Sequence, residues 1–344
     1  MALTLRKKLI VVMFTILGTW TSQAMSRTLQ EASMEERHEQ WMSQYDRKYS
    51  DDAEKESRFK IFKENAEFVE KVNNDGNRTY KLSLNAFADL TTEEFIATHT
   101  GYKMITNQSR SAEKSASFRY ESLSDIPTTM DWRDQEAVTP IKYQRQCGCC
   151  WAFSAVAAIE GITKIKTGKL ISLSEQQLLD CATDGNLGCN GGWMDNAFKY
   201  IVQNQGLTTE TNYPYEAMQE TCDTQKASYY EAQISGFEDV PPNNEEALLK
   251  AVASQPVSVA LDGSGQNFQF YSSGVFHGEC GTRLTHAVTA IGYGTADDGT
   301  KYWLVKNSWS ERWGESGYMR IQRDVDSPEG LCGIATRASY PVIA

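Results

Sequence analysis

All eight cysteines of this 344-residue chain lie at or beyond Cys147, and the 146 residues before it carry none. No other feature constrains the fold as much. Disulfides staple the segments that carry them and persist only in oxidising compartments. The back of the chain is therefore built to be cross-linked, and the front answers to a different need. One cysteine pair stands apart. In Gln144-Arg145-Gln146-Cys147-Gly148-Cys149-Cys150-Trp151-Ala152-Phe153-Ser154, two adjacent thiols sit where a loop enters an apolar helix. A thiol at a helix N-terminus lies in the positive end of the macrodipole, which favours thiolate over thiol.

Residues 1–24 read as a secretory leader. Arg6, Lys7 and Lys8 precede an apolar run from Leu9 to Leu17, and Ser22-Gln23-Ala24 supplies small residues at a cleavage site. The run is too short for a membrane anchor. The net charge of −11 argues against nucleic acid as a partner. From residue 25 to about 100 the pattern is α-rich. Glu54, Arg58, Phe62, Asn65, Val69 and Asn73 fall on one helix face, and Glu54 is placed to pair with Arg58. Tyr80 to Asn85 alternates like a strand, and Thr91 with Glu94 forms a capping box. Residues 101–125 are polar and serine-rich, an arm open to proteolysis. Asn77 and Asn107 head glycosylation sequons.

Beyond Ile126 the texture changes. Helices are predicted over 149–166, 175–181 (with a Ser174/Gln177 capping box), 193–204 and 245–253. Strands are predicted through Val257-Val259-Leu261, then over 287–293, 302–306, 318–322 and 339–342. Helices first and strands second point to an α+β fold or two lobes of different type.

A thiolate nucleophile needs a base, a group that orients the base, and donors for an oxyanion. The chain has four histidines. His38 and His99 lie in the front segment, and His277 sits in a loop, where a surface role is expected. His286 opens the apolar run Ala287-Val288-Thr289-Ala290-Ile291. Asn307 follows the predicted strand 302–306, where its carbonyl could hold an imidazole in one tautomer. Trp309 could shield that bond. Gln144, six residues before Cys150, could join the Cys150 backbone N–H around an oxyanion.

Together these motifs resemble the papain-type cysteine proteases in precursor form, over nearly the whole chain, and most resemble the plant vacuolar and senescence-associated members. Cys147-Gly148-Cys149-Cys150-Trp151 is similar to the family's nucleophile motif. Leu284-Thr285-His286-Ala287-Val288 and Asn307-Ser308-Trp309 are similar to its His and Asn boxes, 136 and 157 residues downstream of Cys150. Cys189-Asn190-Gly191-Gly192 is similar to its cleft wall. The Glu54-to-Asn73 stripe and Asn85-Ala86-Phe87-Ala88-Asp89 resemble its inhibitory propeptide. Ser83, Ser310 and the Tyr143/Arg145 pair around Gln144 depart from the usual residues.

The resemblance implies a two-lobed fold, a helical left lobe and a β-barrel-like right lobe with a cleft between, preceded by an α-rich propeptide. The expected domains are 1–24, leader; 25–125, inhibitory propeptide with its arm; and 126–344, peptidase. It implies that Cys150 is the nucleophile, His286 the acid/base, Asn307 its orienter and Gln144 an oxyanion donor. Gly191, Gly192, Trp193, Met194, Ala260, Leu284, Arg337 and Trp309 would contact substrate. Of these, Trp193, Met194, Ala260, Leu284 and Arg337 would line an apolar pocket for the residue just before the one at the cleaved bond. Arg337 would turn its charge to solvent or tolerate acidic residues there. Six cysteines allow 15 pairings on sequence alone; the resemblance selects Cys147–Cys189, Cys181–Cys222 and Cys280–Cys332. Cys149 is left to pack quietly or to compete for oxidation. No cofactor or metal is expected. The implied partners are protein and peptide substrates and the chain's own propeptide, with no nucleic acid, no membrane after leader removal, and a monomeric enzyme. The expected address is the secretory pathway, ending in a vacuole or lysosome-like compartment or outside the cell, since the sequence ends Pro341-Val342-Ile343-Ala344 without an ER-retention signal. Two rivals remain: a catalytically silent storage or binding homologue, and an inhibitor acting through the detached front segment.

Overall fold

The computed structural model describes residues 34–76, 78–103 and 118–344. The leader and both sequon asparagines, Asn77 and Asn107, lie outside these residues. The chain divides into two compact units, one ending at Phe68 and the other running from Val69 to Ala344.

Helix α1 covers 34–44 and α2 covers Asp52–Asn74. The N-terminus of α2 is held by local hydrogen bonds. Asp51 Oδ1 accepts the Glu54 N–H at 2.8 Å, and the Glu54 carboxylate accepts the Ser50 N–H and hydroxyl at 2.7 and 2.8 Å. These donors hold the Glu54 carboxyl below its usual range, with the Arg58 charge adding to them. Ser50 is thus its hydrogen-bond partner, and the expected Arg58 acts on it through its charge. On the expected stripe Phe62, Asn65 and Val69 are buried. Phe62, Phe59, Tyr49 and Trp41 surround His38, with ring centroids 4.9 to 6.1 Å away.

In the second unit, strand β1 (Tyr80–Leu82) is followed by α3 (Thr92–His99), whose Thr91/Glu94 capping box forms in full. Then come β2 (Met130–Asp131), α4 (Cys150–Thr167), α5 (Glu175–Cys181), α6 (Met194–Gln203), α7 (Thr224–Ala227), β3 (Gly236–Asp239), α8 (Glu245–Ser254), β4 (Val257–Leu261), α9 (Gln266–Gln269), β5 (Tyr271–Phe276), β6 (His286–Thr295), β7 (Lys301–Lys306), β8 (Tyr318–Gln322) and β9 (Ala338–Val342). The sheet order is β1-β5-β8-β7-β6-β4-β9-β3, with β2 pairing β6. It has two ends and does not close, so the β-barrel-like right lobe carries an open sheet rather than a closed barrel. Among the strands of the described residues, β5 and β8 alone pair in parallel. The short polar strands β2, β3 and β5 carry no readable alternation, and pairing with distant partners creates them.

Helix α4 is apolar on nearly every side, as a central buried helix must be. It lies against β4 and β6. Ser154 Oγ donates to the Val288 carbonyl at 2.7 Å, and Ser258 Oγ donates to the Ser154 carbonyl at 2.9 Å. The alternation predicted for β4 is therefore incomplete as a reading: all five of its residues are buried, because both faces of the strand are covered. At α5 only half the predicted box forms. Ser174 Oγ accepts the Gln177 N–H at 3.0 Å, while Gln177 Oε1 accepts the Thr208 N–H at 2.8 Å.

A buried ionic cluster lies beside α4. Lys142 Nζ donates to Glu160 at 3.0 Å and to Glu175 at 2.7 Å. For Glu160, burial is outweighed by the charges of Lys142 and Lys306 and by the Thr139 hydroxyl, so its carboxyl stays below the usual range. Burial pushes Glu175 up to about 8. Between pH 4.5 and 8 the folded chain then binds a proton at Glu175 that the unfolded chain has released, so this group's contribution to stability is lost as pH rises through that window. The expected result is that Glu175→Gln flattens the pH dependence of the thermal midpoint of the precursor, so that wild type and variant diverge by several degrees between pH 5 and pH 8. Parallel profiles in calorimetry would count against it.

Candidate active site

Cys150 is the first residue of α4 and is fully buried. Its Sγ accepts the backbone N–H of Ala287, the second residue of β6, at 3.4 Å. That contact crosses from helix to sheet and sets the thiol beside His286. The His286 ring is also fully buried. Its Nε2 lies 2.8 Å from Asn307 Oδ1. Asn307 Oδ1 also accepts the Ser308 N–H at 2.8 Å, which fixes it as the carbonyl oxygen end. The His286 Nε2 is therefore the protonated nitrogen, and Nδ1, which has no hydrogen-bond partner, carries the lone pair. Trp309 stacks on the imidazole, with centroids 4.4 Å apart and planes at 25°.

Gln144 joins the same constellation. Ser308 Oγ donates to its Oε1 at 2.6 Å, and its Nε2 donates to the Cys147 carbonyl at 2.8 Å and the His99 carbonyl at 3.1 Å. Trp309 Nε1 donates to that same His99 carbonyl at 3.2 Å. A backbone oxygen from the end of α3 thus sits on the amide expected to serve an oxyanion. The chain continues from there across the cleft. Gly101 and Tyr102 donate to the Thr285 carbonyl at 3.0 and 2.9 Å, Gly192 donates to the Gly101 carbonyl at 2.9 Å, and Lys103 donates to the Gly192 carbonyl at 3.0 Å. Tyr102 and Gly192 form a parallel bridge. The fit is tight: a Cβ on Gly101 would overlap the Gly148 carbonyl, and Gly191, at φ +112°, faces the Gly101 carbonyl.

This cover sets the protonation states. Burial pushes the Cys150 thiol up to about 12, against the pull of the Ala287, Gly101 and Trp151 amides. Burial lowers His286 to about 4, with the Asn307 bond opposing. The helix-end effect that favours a thiolate is worth under about 1 kcal/mol at an exposed end, whereas full burial moves a group by several pKa units. Beneath the covering segment the pair is therefore thiol and neutral imidazole, not the thiolate and imidazolium that the helix start alone suggests.

The other expected residues fall as follows. Met194 and Ala260 are buried in the cluster that includes Tyr102, and Trp193 and Leu284 pack against it. Arg337 is half-buried, but the acidic Asp195 and Asp239 stand near it. The bonded cysteine pairs are Cys147–Cys189, Cys181–Cys222 and Cys280–Cys332. Cys149 is buried, with its Sγ 3.0 Å from the Tyr215 hydroxyl, which donates to the Gln144 carbonyl at 2.7 Å. Its thiol thus donates to the phenol oxygen and ties the start of α4 to the Gln144 loop. His277 lies apart, half-buried, accepting the Thr79 N–H at 3.3 Å. Arg145 and Ser310 take φ of +53° and +68°, the left-handed region that favours glycine. Sequence reasoning missed Gly101, Tyr102, Thr285 and Tyr215, because each acts through a contact with a distant part of the chain.

The chain belongs to the papain family of cysteine proteases: the model for the papain family matches residues 126–342, and that for the cathepsin propeptide inhibitor domain matches residues 38–95. It is similar to a senescence-specific cysteine protease of Arabidopsis thaliana, 55% identical over 94% of each chain. It is also 56% identical to a senescence-specific cysteine protease of Oryza sativa subsp. indica, over 90% of this chain and 91% of that one. Among solved structures it resembles a recombinant stem bromelain precursor, with TM-score 0.84 and 48% identity over 90% of this chain and 99% of that one. The Amb a 11 cysteine protease of ragweed pollen in its proform matches with TM-score 0.83 and 41% identity, over 91% and 96%.

Proposed function

We propose that this chain is the precursor of an acid-activated endopeptidase in which Cys150 attacks the peptide carbonyl. The observation that carries the reading is the 99–103 segment laid through the cleft, with the His99 carbonyl on the Gln144 amide. When that segment leaves, water reaches the site, and the burial that keeps Cys150 and His286 neutral is relieved. His286 Nδ1 takes the thiol proton while Nε2–H stays on Asn307. The thiolate adds to the carbonyl carbon, and the oxyanion takes hydrogen bonds from Gln144 Nε2 and the Cys150 N–H. Nδ1–H then protonates the leaving amine, a thioester remains, and His286 deprotonates the water that hydrolyses it. Gly191, Gly192, Trp193, Met194, Ala260, Leu284 and Trp309 would hold the substrate, and the parallel run of 101–103 along Gly192 supports a segment laid in the non-productive direction.

Acid favours release, and the sign follows from His286. Its value is about 4 under the segment and near 6.5 in open water. As pH falls below 6.5 the open form binds the proton first, so the closed form loses up to about 3 kcal/mol by pH 4. Processing near Ile126, at the end of the 25–125 segment, would free a 126–344 enzyme. Among the described residues no helix is long and apolar enough to cross a membrane. We read the enzyme as a monomer carried by its leader to a vacuole or the cell exterior. Protein breakdown is its role.

The test is labelling with a thiol-directed epoxide across pH, followed by peptide mapping. The label is expected on Cys150, to appear only once the precursor has been acidified, and to be lost in His286→Ala. A label on Cys149, or undiminished labelling of His286→Ala, would overturn the assignment.

A further inference from the structure

Two tethers hold the Gln144 loop, and the catalytic steps use neither. The first is Lys142, two residues before Gln144. An ammonium has three N–H groups, and Lys142 spends them on Glu160 at 3.0 Å, on Glu175 Oε1 at 2.7 Å and on the Leu173 carbonyl at 2.9 Å. The second is Tyr215, whose hydroxyl donates to the Gln144 carbonyl at 2.7 Å. Tyr215 is held in turn by its backbone N–H, which donates to Glu210 Oε1 at 2.9 Å. One carboxyl, Glu175 or Glu210, thus stands at the far end of each tether.

The two carboxyls meet. The Glu175 and Glu210 side chains hydrogen-bond to each other, yet Oε2 of each is a buried atom that no donor faces. Two carboxylate oxygens bond only through a proton, and Lys142 has no N–H left to serve them. The surroundings favour keeping that proton. Burial raises both carboxyls above their usual range and the charge of Glu160 adds to it, while Lys142 opposes at both and the Tyr215 N–H opposes at Glu210. The other groups facing them are Lys306, whose charge attracts Glu175, and Cys149 and Tyr215, which burial keeps protonated.

We propose that Glu175 and Glu210 share one proton, and that this proton closes a ring through Lys142, Glu175, Glu210, Tyr215 and Gln144 that positions the Gln144 amide for the oxyanion. Glu210 and Tyr215 are thus positioning residues that act through Gln144. As pH rises through about 8, Glu175 releases the proton. Two negative carboxylates then face each other, and the Tyr215 tether is pushed away from the Gln144 loop. This inference rests on the reading that Gln144 Nε2 receives the oxyanion of a peptide substrate.

The experiment uses enzyme matured from the full chain, with active sites counted by epoxide titration and hydrolysis of one fluorogenic peptide followed from pH 5 to pH 9. Tyr215→Phe and Glu210→Ala are each expected to lower kcat about 10-fold at pH 6, with little change in KM. In a Gln144→Ala background each should cost less than about 2-fold, since the group they position is gone. Glu210→Gln puts an amide N–H in place of the shared proton and keeps the acceptor for Tyr215. It is expected to retain activity at pH 6. Its kcat relative to wild type should rise about 5-fold between pH 6 and pH 9, because its link does not titrate. The titration of His286 is common to both and cancels in that ratio. If Glu210→Ala fails to mature, Tyr215→Phe and Glu210→Gln decide. Undiminished losses in the Gln144→Ala background would show a merely structural role and overturn the proposal, as would a flat ratio or a wild-type kcat in Tyr215→Phe. With titratable sites present, any of these results sinks this inference alone. No titratable site and no hydrolysis by the wild type would sink the peptidase reading and this inference with it.

Discussion

Cys150→Ala is expected to lower kcat/KM by about 10⁴-fold or more, while Cys149→Ala stays within roughly 10-fold of wild type. The two thiols are chain neighbours and equally buried, so proximity alone does not separate them. Their partners do. Cys150 Sγ meets the Ala287 N–H at 3.4 Å on the strand that carries His286. Cys149 Sγ meets the Tyr215 hydroxyl at 3.0 Å, on the other side of the helix start. Burial pushes the Cys149 thiol far up, and the coupling to Cys150 adds to it, so Cys149 stays protonated. Losing the Cys149 thiol removes one weak donor from a phenol that still donates to the Gln144 carbonyl. The measurement is steady-state hydrolysis by protein processed in trans and repurified. Comparable losses in the two variants would contradict the division of roles.

Gly101→Val in the precursor should raise the rate at which a thiol-directed epoxide labels Cys150 at neutral pH by roughly 10- to 100-fold. The segment crosses the cleft with no room for a side chain at this point, since a Cβ would overlap the Gly148 carbonyl. Both atoms belong to backbone that is pinned on each side. Gly148 donates to the Cys189 carbonyl at 2.9 Å, next to a disulfide, and Gly101 donates to the Thr285 carbonyl at 3.0 Å. The overlap is relieved most easily by moving the segment off Cys150. Overpacking of this kind costs about 1–3 kcal/mol or more, which corresponds to the stated change in the open fraction. Gly76→Ala is the control, because nothing stands within 4 Å of a Cβ there. Labelling of unprocessed Gly101→Val at the wild-type rate would show that the segment does not guard the thiol.

Much of the fold was legible because its signals are local. The helix over 175–181 is read from a serine cap and an apolar run, and the structure places it at Glu175–Cys181. The Thr91/Glu94 box and the strands over 257–261, 302–306 and 318–322 follow in the same way. Gly-Phe-Glu-Asp at β3 and Tyr-Ser-Ser-Gly-Val-Phe at β5 were not legible, because their strand character comes from pairing with β9, β1 and β8. At the site the residue types were legible, and the state of the thiol was not.

By itself the sequence determined which groups are available. It placed a thiol at the start of an apolar helix, a histidine at the head of a buried strand, an asparagine at a strand end, and a front segment without cysteines. These are properties of residue type and near spacing. Only the tertiary structure decided what those groups do in the precursor. The Cys150–Ala287 contact joins residues 137 apart, and the Gln144–His99 contact joins residues 45 apart. Desolvation is the sum of everything packed around a group, so no motif encodes it. The two adjacent thiols differ in role because one faces β6 and the other faces Tyr215. Both Cys150 and His286 are neutral because backbone from residues 99–103 has replaced the water that would otherwise stabilise their charges.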